Sequence, residues 1–244
     1  MTELDSRKAN RLLALLPDTE WRRWQPLLEL QDLTLGTVLQ KPNEPLLFAY
    51  FPTTVVTSLQ YEMRSGISTQ FAMVGYEGMV AASSYMGSET ALSRAVVTIE
   101  GKCLRLPVDM LRSSFYRSRE TMHLLLRYAQ TLMTQMSHTA LCNRHHLLDQ
   151  RLCCLLLNSL DRNQGNDPGE LVITHDLISN MLGVRREGVT EAAQKLQAAG
   201  LIKYARGRVS LLDRLGLERT ACECYQAVQN DYSRLLANAQ TTSV

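Results

Sequence analysis

Three consecutive charged residues, Arg185, Arg186 and Glu187, are the side chains best suited to reading another molecule in this 244-residue sequence. A guanidinium can grip guanine bidentately in the major groove of duplex DNA, and a carboxylate can accept from a cytosine amine. Taken alone, the same triplet also suits a solvated helix start with ordinary surface charge. A second set is Cys142, His145 and His146, spaced i, i+3 and i+4 on one helix face, with Cys153 and Cys154 one helix later. Thiol and imidazole at such spacing are the material of metal and redox sites. Adjacent cysteines inside an LCCLLL run read instead as small core residues, and histidines at a hinge read as surface. Cys222 and Cys224, on one continuous helix expected from Leu215 to about Leu236, would point to different faces, because positions i and i+2 do not meet. No metal site is expected. No glycine-rich phosphate loop, nucleophile elbow or paired carboxylates occur, so the sequence predicts no enzyme.

The elements around the charged triplet give it a use. Leu177, Ile178, Met181 and Leu182 recur at one-turn spacing, so residues 176–182 read as a short helix. Thr174 is a natural N-cap, and Asp176 favours the positive helix start. Gly183 breaks that helix, and a second runs from about Arg185 to Ala199, burying Val189, Ala192, Ala193 and Leu196 and ending at Gly200. Two short helices about a glycine turn form a helix-turn-helix, whose second helix can enter the major groove. Residues 201–204 and 208–212 then read as two strands about a tight turn at Ala205-Arg206-Gly207, a wing. Between Arg185 and Arg214 lie seven basic and three acidic residues, a local net charge of +4 where the whole chain carries +2. Positive charge is concentrated where phosphates would lie.

The rest of the chain frames this unit. Its 45% hydrophobic content supports real cores, and its 20% charged content is ordinary for a soluble protein. No apolar run reaches 18 residues, so no membrane span is predicted. The N-terminus lacks a long apolar stretch and a cleavage site, so a cytoplasmic location with six free thiols is expected. Residues 1–30 read as one or two helices, with Leu12, Leu13, Leu15 and Leu16 apolar, a break at Pro17-Asp18, and Thr19 capping a segment through Trp21, Trp24, Leu27 and Leu28. Residues 31–107 read as short strands at 33–39, 48–50, 55–61, 70–74, 95–99 and 103–106, separated by turn residues. That spacing suggests an antiparallel barrel or sandwich, either a small-molecule container or a packed sandwich without a pocket.

A short helix is expected from Pro107 through Leu111, then a long one from about Ser118. Met122, Leu125, Ala129, Leu132, Met136, Thr139 and Asn143 form its apolar seam, about 33 Å long at 1.5 Å per residue. Such a seam between two domains reads as a dimerisation coiled coil, although it also suits a helix packed on its own domain. A further helix over 148–166 buries Leu152, Leu155, Leu156, Ser159 and Leu160; a loop at 163–169 and a strand at 171–173 lead into the helix-turn-helix. The predicted organisation is α+β: an effector domain at 1–117, a dimerisation helix at 118–147, a winged helix-turn-helix at 148–225, and a helix end with a frayed tail at 226–244.

This order resembles the cyclic-AMP receptor protein and fumarate–nitrate regulator (Crp/Fnr) family over about residues 30–225. The most specific segments are LGVRREGVTEAAQKLQAAGLI (182–202) and YARGRVSLLD (204–213), with AYFP (49–52) and MVGYEGMV (73–80) similar to the family's N-terminal domain. Gln150-Arg151-Leu152-Cys153 and ACECY (221–225) resemble a bacterial subgroup of that family, one whose nucleotide pocket is degenerate by the residues described below. The resemblance implies a sequence-specific transcription regulator with an N-terminal β-roll of the cyclic-nucleotide-binding type. It assigns base reading to Arg186 and Glu187, with Arg185 beside them and Glu191 at the next reading position. Thr174, Thr190, Lys203, Arg206 and Arg208 would hold the DNA backbone.

The family's pocket carries a Gly-Glu pair for the ribose and Arg-Ser-Ala for the cyclic phosphate. Here Ala81-Ala82 and Ser83 replace the first, and Ser93-Arg94 transposes the second, so cyclic AMP is not expected as effector. No cysteine precedes Cys103, so no iron–sulfur cluster is expected and the cofactor is open. The implied partners are double-stranded DNA, a second copy of the chain, RNA polymerase and an unidentified small molecule, with no membrane. The alternative is a ligand, thiol or metal sensor in which DNA binding is secondary.

Overall fold

The computed structural model describes residues 7–64, 68–164 and 169–237. The turn expected at Ser65-Gly66, residues 165–168 of the expected loop and the tail at 238–244 lie outside the described residues. Helix α1 (Arg11–Ala14) is capped by Asn10, whose Oδ1 accepts from the amides of Leu12 and Leu13. Leu12, Leu13 and Leu16 are buried, and Leu15 only partly. Helix α2 (Asp18–Trp24) starts from Pro17, and Thr19 is an exposed first-turn residue, not the expected cap. It ends sooner than expected. After one 3₁₀ turn at Gln25–Leu27 the chain extends into β1 (Glu29–Leu33).

Seven strands form, β1, β2 (Val38–Gln40), β3 (Phe48–Pro52), β4 (Val56–Glu62), β5 (Ser68–Val74), β6 (Arg94–Ile99) and β7 (Gly101–Pro107), and the last five fall on the expected segments. They form two antiparallel sheets in the orders β1-β7-β3 and β2-β6-β4-β5. The single strand expected over 33–39 is instead split between the two sheets by a turn at Gly36, whose φ of 81° suits glycine. Phe51, Met79, Val80, Leu104 and Leu106 fill the space between sheets and helices.

Helix α3 runs over Val108–Arg117, nearly two turns beyond the expected end, and α4 spans Arg119–His145, starting close to the expected Ser118, whose side chain caps it by accepting from the Thr121 amide. The expected dimer seam needs correction. Leu125, Ala129 and Leu132 are 1%, 7% and 7% exposed, because they pack into the core of their own sheets. Met122, Met136 and Thr139 stay partly accessible. The open apolar positions of α4 are Leu126, Met133 and Leu141, on a different stripe. Periodicity locates an apolar stripe but does not say which neighbour covers it.

Helix α5 (Leu148–Arg162) leads through β8 (Glu170–Val172) into α6 (His175–Leu182), α7 (Arg186–Ala198), β9 (Ile202–Ala205) and β10 (Arg208–Leu211). The helix expected from Leu215 to Leu236 is two helices, α8 (Arg214–Thr220) and α9 (Glu223–Ala237), broken at Ala221-Cys222 where the backbone turns extended. Helix α9 folds back on α4: Val228 and Tyr232 are buried in the N-terminal core, and the Tyr232 hydroxyl donates to Gln135 Oε1 at 3.2 Å. The two halves are also joined by a buried ion pair. Arg162 Nε lies 2.7 Å from Glu77 Oε1, and both side chains are at most 7% exposed.

Candidate nucleic-acid interface

Helix α6 begins as the sequence predicts, with Thr174 Oγ1 accepting from the Leu177 amide. Gly183, at φ 64°, ends it, and the amides of Gly183 and Val184 both donate to the Ser179 carbonyl. Val184 and Arg185 carry the chain into α7. Ile178, Met181, Leu182, Val189, Ala192, Ala193 and Leu196 lock the two helices over one core that includes α5. Gly200, at φ 70°, closes α7, with the Leu201 amide donating to the Leu196 carbonyl. Burial of these faces turns Arg185, Arg186 and Glu187 outward, all three exposed, at the helix start.

The exposed side chains have few internal commitments. Arg186 Nε sits 3.5 Å from Asp176 Oδ1, with both partners about two-thirds exposed (64% and 66%), a pair that is cheap to open. Arg185, Lys203 and Arg206 make no ion pair among the described residues. Glu191 pairs with Lys195 one turn on, at 3.2 Å, and Lys195 also reaches Asp149. Thr190 Oγ1 lies 3.0 Å from His175 Nδ1, and the His175 ring stacks on Tyr204, centroids 4.3 Å apart. Burial, and then the charge of Arg186, pulls the His175 pKa below the ordinary histidine value. The imidazole therefore favours its neutral form beside Arg186.

The wing is a two-residue hairpin. Arg206 and Gly207 have φ of 52° and 75°, both left-handed, and Ala205 pairs with Arg208 across the turn. The sequence places the turn correctly with one residue too many. Strand β8 adds a third strand beside β10. Arg206 is exposed at the tip; Arg208 is exposed and pairs with Glu170 at 3.5 Å. Lys203 is exposed on β9, so the three wing cations and the helix triplet are all available to phosphate and base edges.

In the N-terminal half, Ala81, Ala82, Ser83 and Ser93 line one cavity of about 210 Å³. Arg94 does not. It sits on the sheet surface, paired with Glu62 at 3.2 Å, because alternation along β6 turns residue 94 away from the side that Ser93 faces. The remaining wall is apolar and includes Ala129, Leu132, Met133 and Met136 of α4, with no charged side chain among the described lining residues. Besides the Tyr61 phenol, Gln40 is polar: its Nε2 donates to the Ser93 carbonyl, while its buried Oε1 has no partner among the described residues.

The cysteines depart furthest from expectation. Cys153 is wholly buried, as a core residue should be. Cys222 and Cys224 do not diverge, since the helix break lies at Cys222. They converge with Cys142 and His146, with ligand atoms all within 4.8 Å of one another. His145, from the original triplet, is exposed and outside this group. Burial pushes the Cys222 thiol up to about 12, and a hydrogen bond that the Cys142 thiol donates to Cys154, together with burial, pushes Cys142 up as well. The i, i+4 spacing of Cys142 and His146 is a sequence signal for half of this group; the other half depends on where α8 ends.

Residues 150–220 match the family model for a Crp-like helix-turn-helix domain. The whole chain is similar in fold to a protein from Eubacterium rectale described as a transcriptional regulator of the Crp/Fnr family, with 20% identity over 87% of this chain and 98% of that one, at a TM-score of 0.67. It is similar to FixK2 from Bradyrhizobium japonicum, with 14% identity over 80% and 98% and a TM-score of 0.68. It is also similar to the c-di-GMP-responsive global regulator CLP from Xanthomonas campestris, with 15% identity over 81% and 100% and a TM-score of 0.63. No curated protein sequence matches the chain. Among the described residues no helix is long and apolar enough to cross a membrane. Residues 150–220 thus form a Crp-like helix-turn-helix domain, and the chain as a whole has the fold seen in structures of Crp/Fnr transcription regulators.

Proposed function

We propose that the chain works as a homodimer that binds a pseudo-palindromic DNA site and regulates transcription without control by cyclic AMP. The observation carrying this reading is the exposed Arg185-Arg186-Glu187 triplet at the start of α7, flanked by the cationic wing. Arg185, Arg186, Glu187 and Glu191 read bases; Thr174, Thr190, Lys203, Arg206 and Arg208 hold the backbone. The dimer forms along α4 through Leu126, Met133 and Leu141, the apolar residues that their own chain leaves exposed. Two-fold symmetry then sets half-sites about 34 Å apart. RNA polymerase is the partner of the bound dimer.

The effector, in this reading, is an apolar molecule carrying one hydrogen-bond donor for Gln40 Oε1. A cyclic nucleotide would bring a phosphate charge into a cavity whose described walls offer no cation. Four α4 residues line that cavity, so occupancy bears directly on the dimer helix and on the spacing of the two recognition helices. The test is selection from random duplex DNA with purified protein, followed by titration of the winning site with and without cyclic AMP. A palindrome bound in the nanomolar range, unaffected by cyclic AMP, is the expected result. Sequence-blind, salt-sensitive binding alone would remove the proposal.

A further inference from the structure

Where α4 hands over to the DNA-binding half, three chain segments bring metal-ligating groups together. Cys142 and His146 lie one turn apart at the end of α4, Cys222 sits in the break before α9, and Cys224 lies in the first turn of α9. Cys142 Sγ is 3.5 Å from Cys222 Sγ, and Cys224 Sγ is 3.7 Å from His146 Nδ1. Around a tetrahedral ion with metal–sulfur bonds of about 2.3 Å, ligand atoms stand roughly 3.5–3.8 Å apart. The three sulfurs are buried and the imidazole nearly so, at 14% exposure.

The surroundings carry the same signature. His146 Nε2 faces Glu223 Oε1 at 3.3 Å, which fixes the ring with Nδ1 toward the sulfurs. A carboxylate on the far nitrogen is how metal-bound histidines are oriented. Cys154 Sγ lies 3.3 Å from Cys222 Sγ, placed to donate its S–H to a bound thiolate. Cys142, Cys154 and Cys224 border a small cavity of about 80 Å³ that Arg151 and His138 also line. Arg151 Nε and His138 Nδ1 are buried there without a hydrogen-bond partner in the described structure.

We propose that Cys142, His146, Cys222 and Cys224 bind one Zn²⁺ per chain, with Glu223 positioning His146. Binding forms three Zn–S bonds and one Zn–N bond, breaks three S–H bonds and releases three protons to solvent, with no change of oxidation state. The site then carries a net charge of −1, which Arg151 faces. Four protein ligands leave no open coordination position, so the ion is structural. It pins the end of the dimer helix to the α8–α9 break, and with it the pose of the DNA-binding half.

The experiment uses the full chain, purified reduced and without chelator. Elemental analysis is expected to find one zinc per chain. Replacement by Co²⁺ is expected to give tetrahedral ligand-field bands with sulfur-to-cobalt charge transfer. In competition with a chromogenic chelator, Glu223→Gln weakens binding by about 10–100-fold and Cys222→Ser removes tight binding. Cys103→Ser, whose thiol lies in a separate cluster with Val55 and Val97, leaves affinity unchanged. Wild-type protein with neither stoichiometric zinc nor a cobalt–thiolate band overturns the proposal, as does a Cys222→Ser variant of full affinity. A Cys154–Cys222 disulfide found by peptide mapping in freshly purified, metal-free protein that takes up no Co²⁺ after reduction also overturns it. If Cys222→Ser does not fold, the wild-type cobalt spectrum and Glu223→Gln still decide.

Discussion

Arg186 and Arg206 look alike by charge but hold different positions, and single substitutions separate them. In the proposed complex Arg186, on the first turn of α7, meets base edges, so Arg186→Ala should cost about 1–3 kcal/mol on the selected site and relax one base position. Arg206, at the wing tip, meets phosphate in the same proposal, so Arg206→Ala should weaken every sequence alike and lower the salt slope by about one. Titrations on selected and scrambled duplexes at several salt concentrations compare them; equal losses for Arg186→Ala on both DNAs count against base reading. His175 offers a pH test. Its pKa is lowered in the folded state, so between that value and the ordinary histidine value of about 6.5 the unfolded chain binds the extra proton. Stability should therefore rise with pH across that window and fall on acidification below about 6.5. Urea unfolding from pH 5 to 8 measures this, and His175→Gln should flatten the profile.

Helix α4 serves two cores with two stripes. Leu132, buried against the sheets, is a folding residue, and Leu132→Ala should cost about 2–5 kcal/mol of stability. Met133, one residue on and 60% exposed, should behave oppositely. The pair Leu126→Glu and Met133→Glu should leave unfolding nearly unchanged in the separated chain while abolishing the dimer in sedimentation equilibrium. A double variant that stays dimeric would place the two-fold contact elsewhere. The helix-turn-helix was legible beforehand almost residue by residue, since its caps, glycines and apolar spacing are all local. The sheets are legible as strands of a barrel or a sandwich but not in their pairing order, and β1 is not legible because residues 29–33 follow a helical segment without a turn glycine.

At the scale of the whole molecule, Glu77 and Arg162 join the N-terminal half to α5. Breaking a buried pair from one side leaves an uncompensated charge, so Glu77→Ala should cost about 3–5 kcal/mol, whereas Glu77→Gln with Arg162→Met should recover much of it. Denaturant unfolding of the two variants measures the difference; a Glu77→Ala loss within about 0.5 kcal/mol would show that the pair does not hold the halves together. The MVGYEGMV segment that carries Glu77 stands out in the sequence, yet nothing in it names an arginine 85 positions away.

Local physics in the sequence determined the recognition unit: one-turn apolar spacing makes α6 and α7, left-handed glycines end them, and short-range charge concentrates on α7 and the wing. It likewise determined that short strands fill residues 31–107 and that Ala81-Ala82 and Ser93-Arg94 differ from the residues that the resembling family carries at its nucleotide pocket. Only the tertiary structure decided which α4 stripe is consumed by the sheets, that Arg94 points away from the cavity, and that four sulfur and nitrogen ligands meet at the hinge. Each of those depends on which surfaces distant segments bury against one another, and burial partners are set by the summed packing of the whole chain, not by any residue's neighbours in sequence.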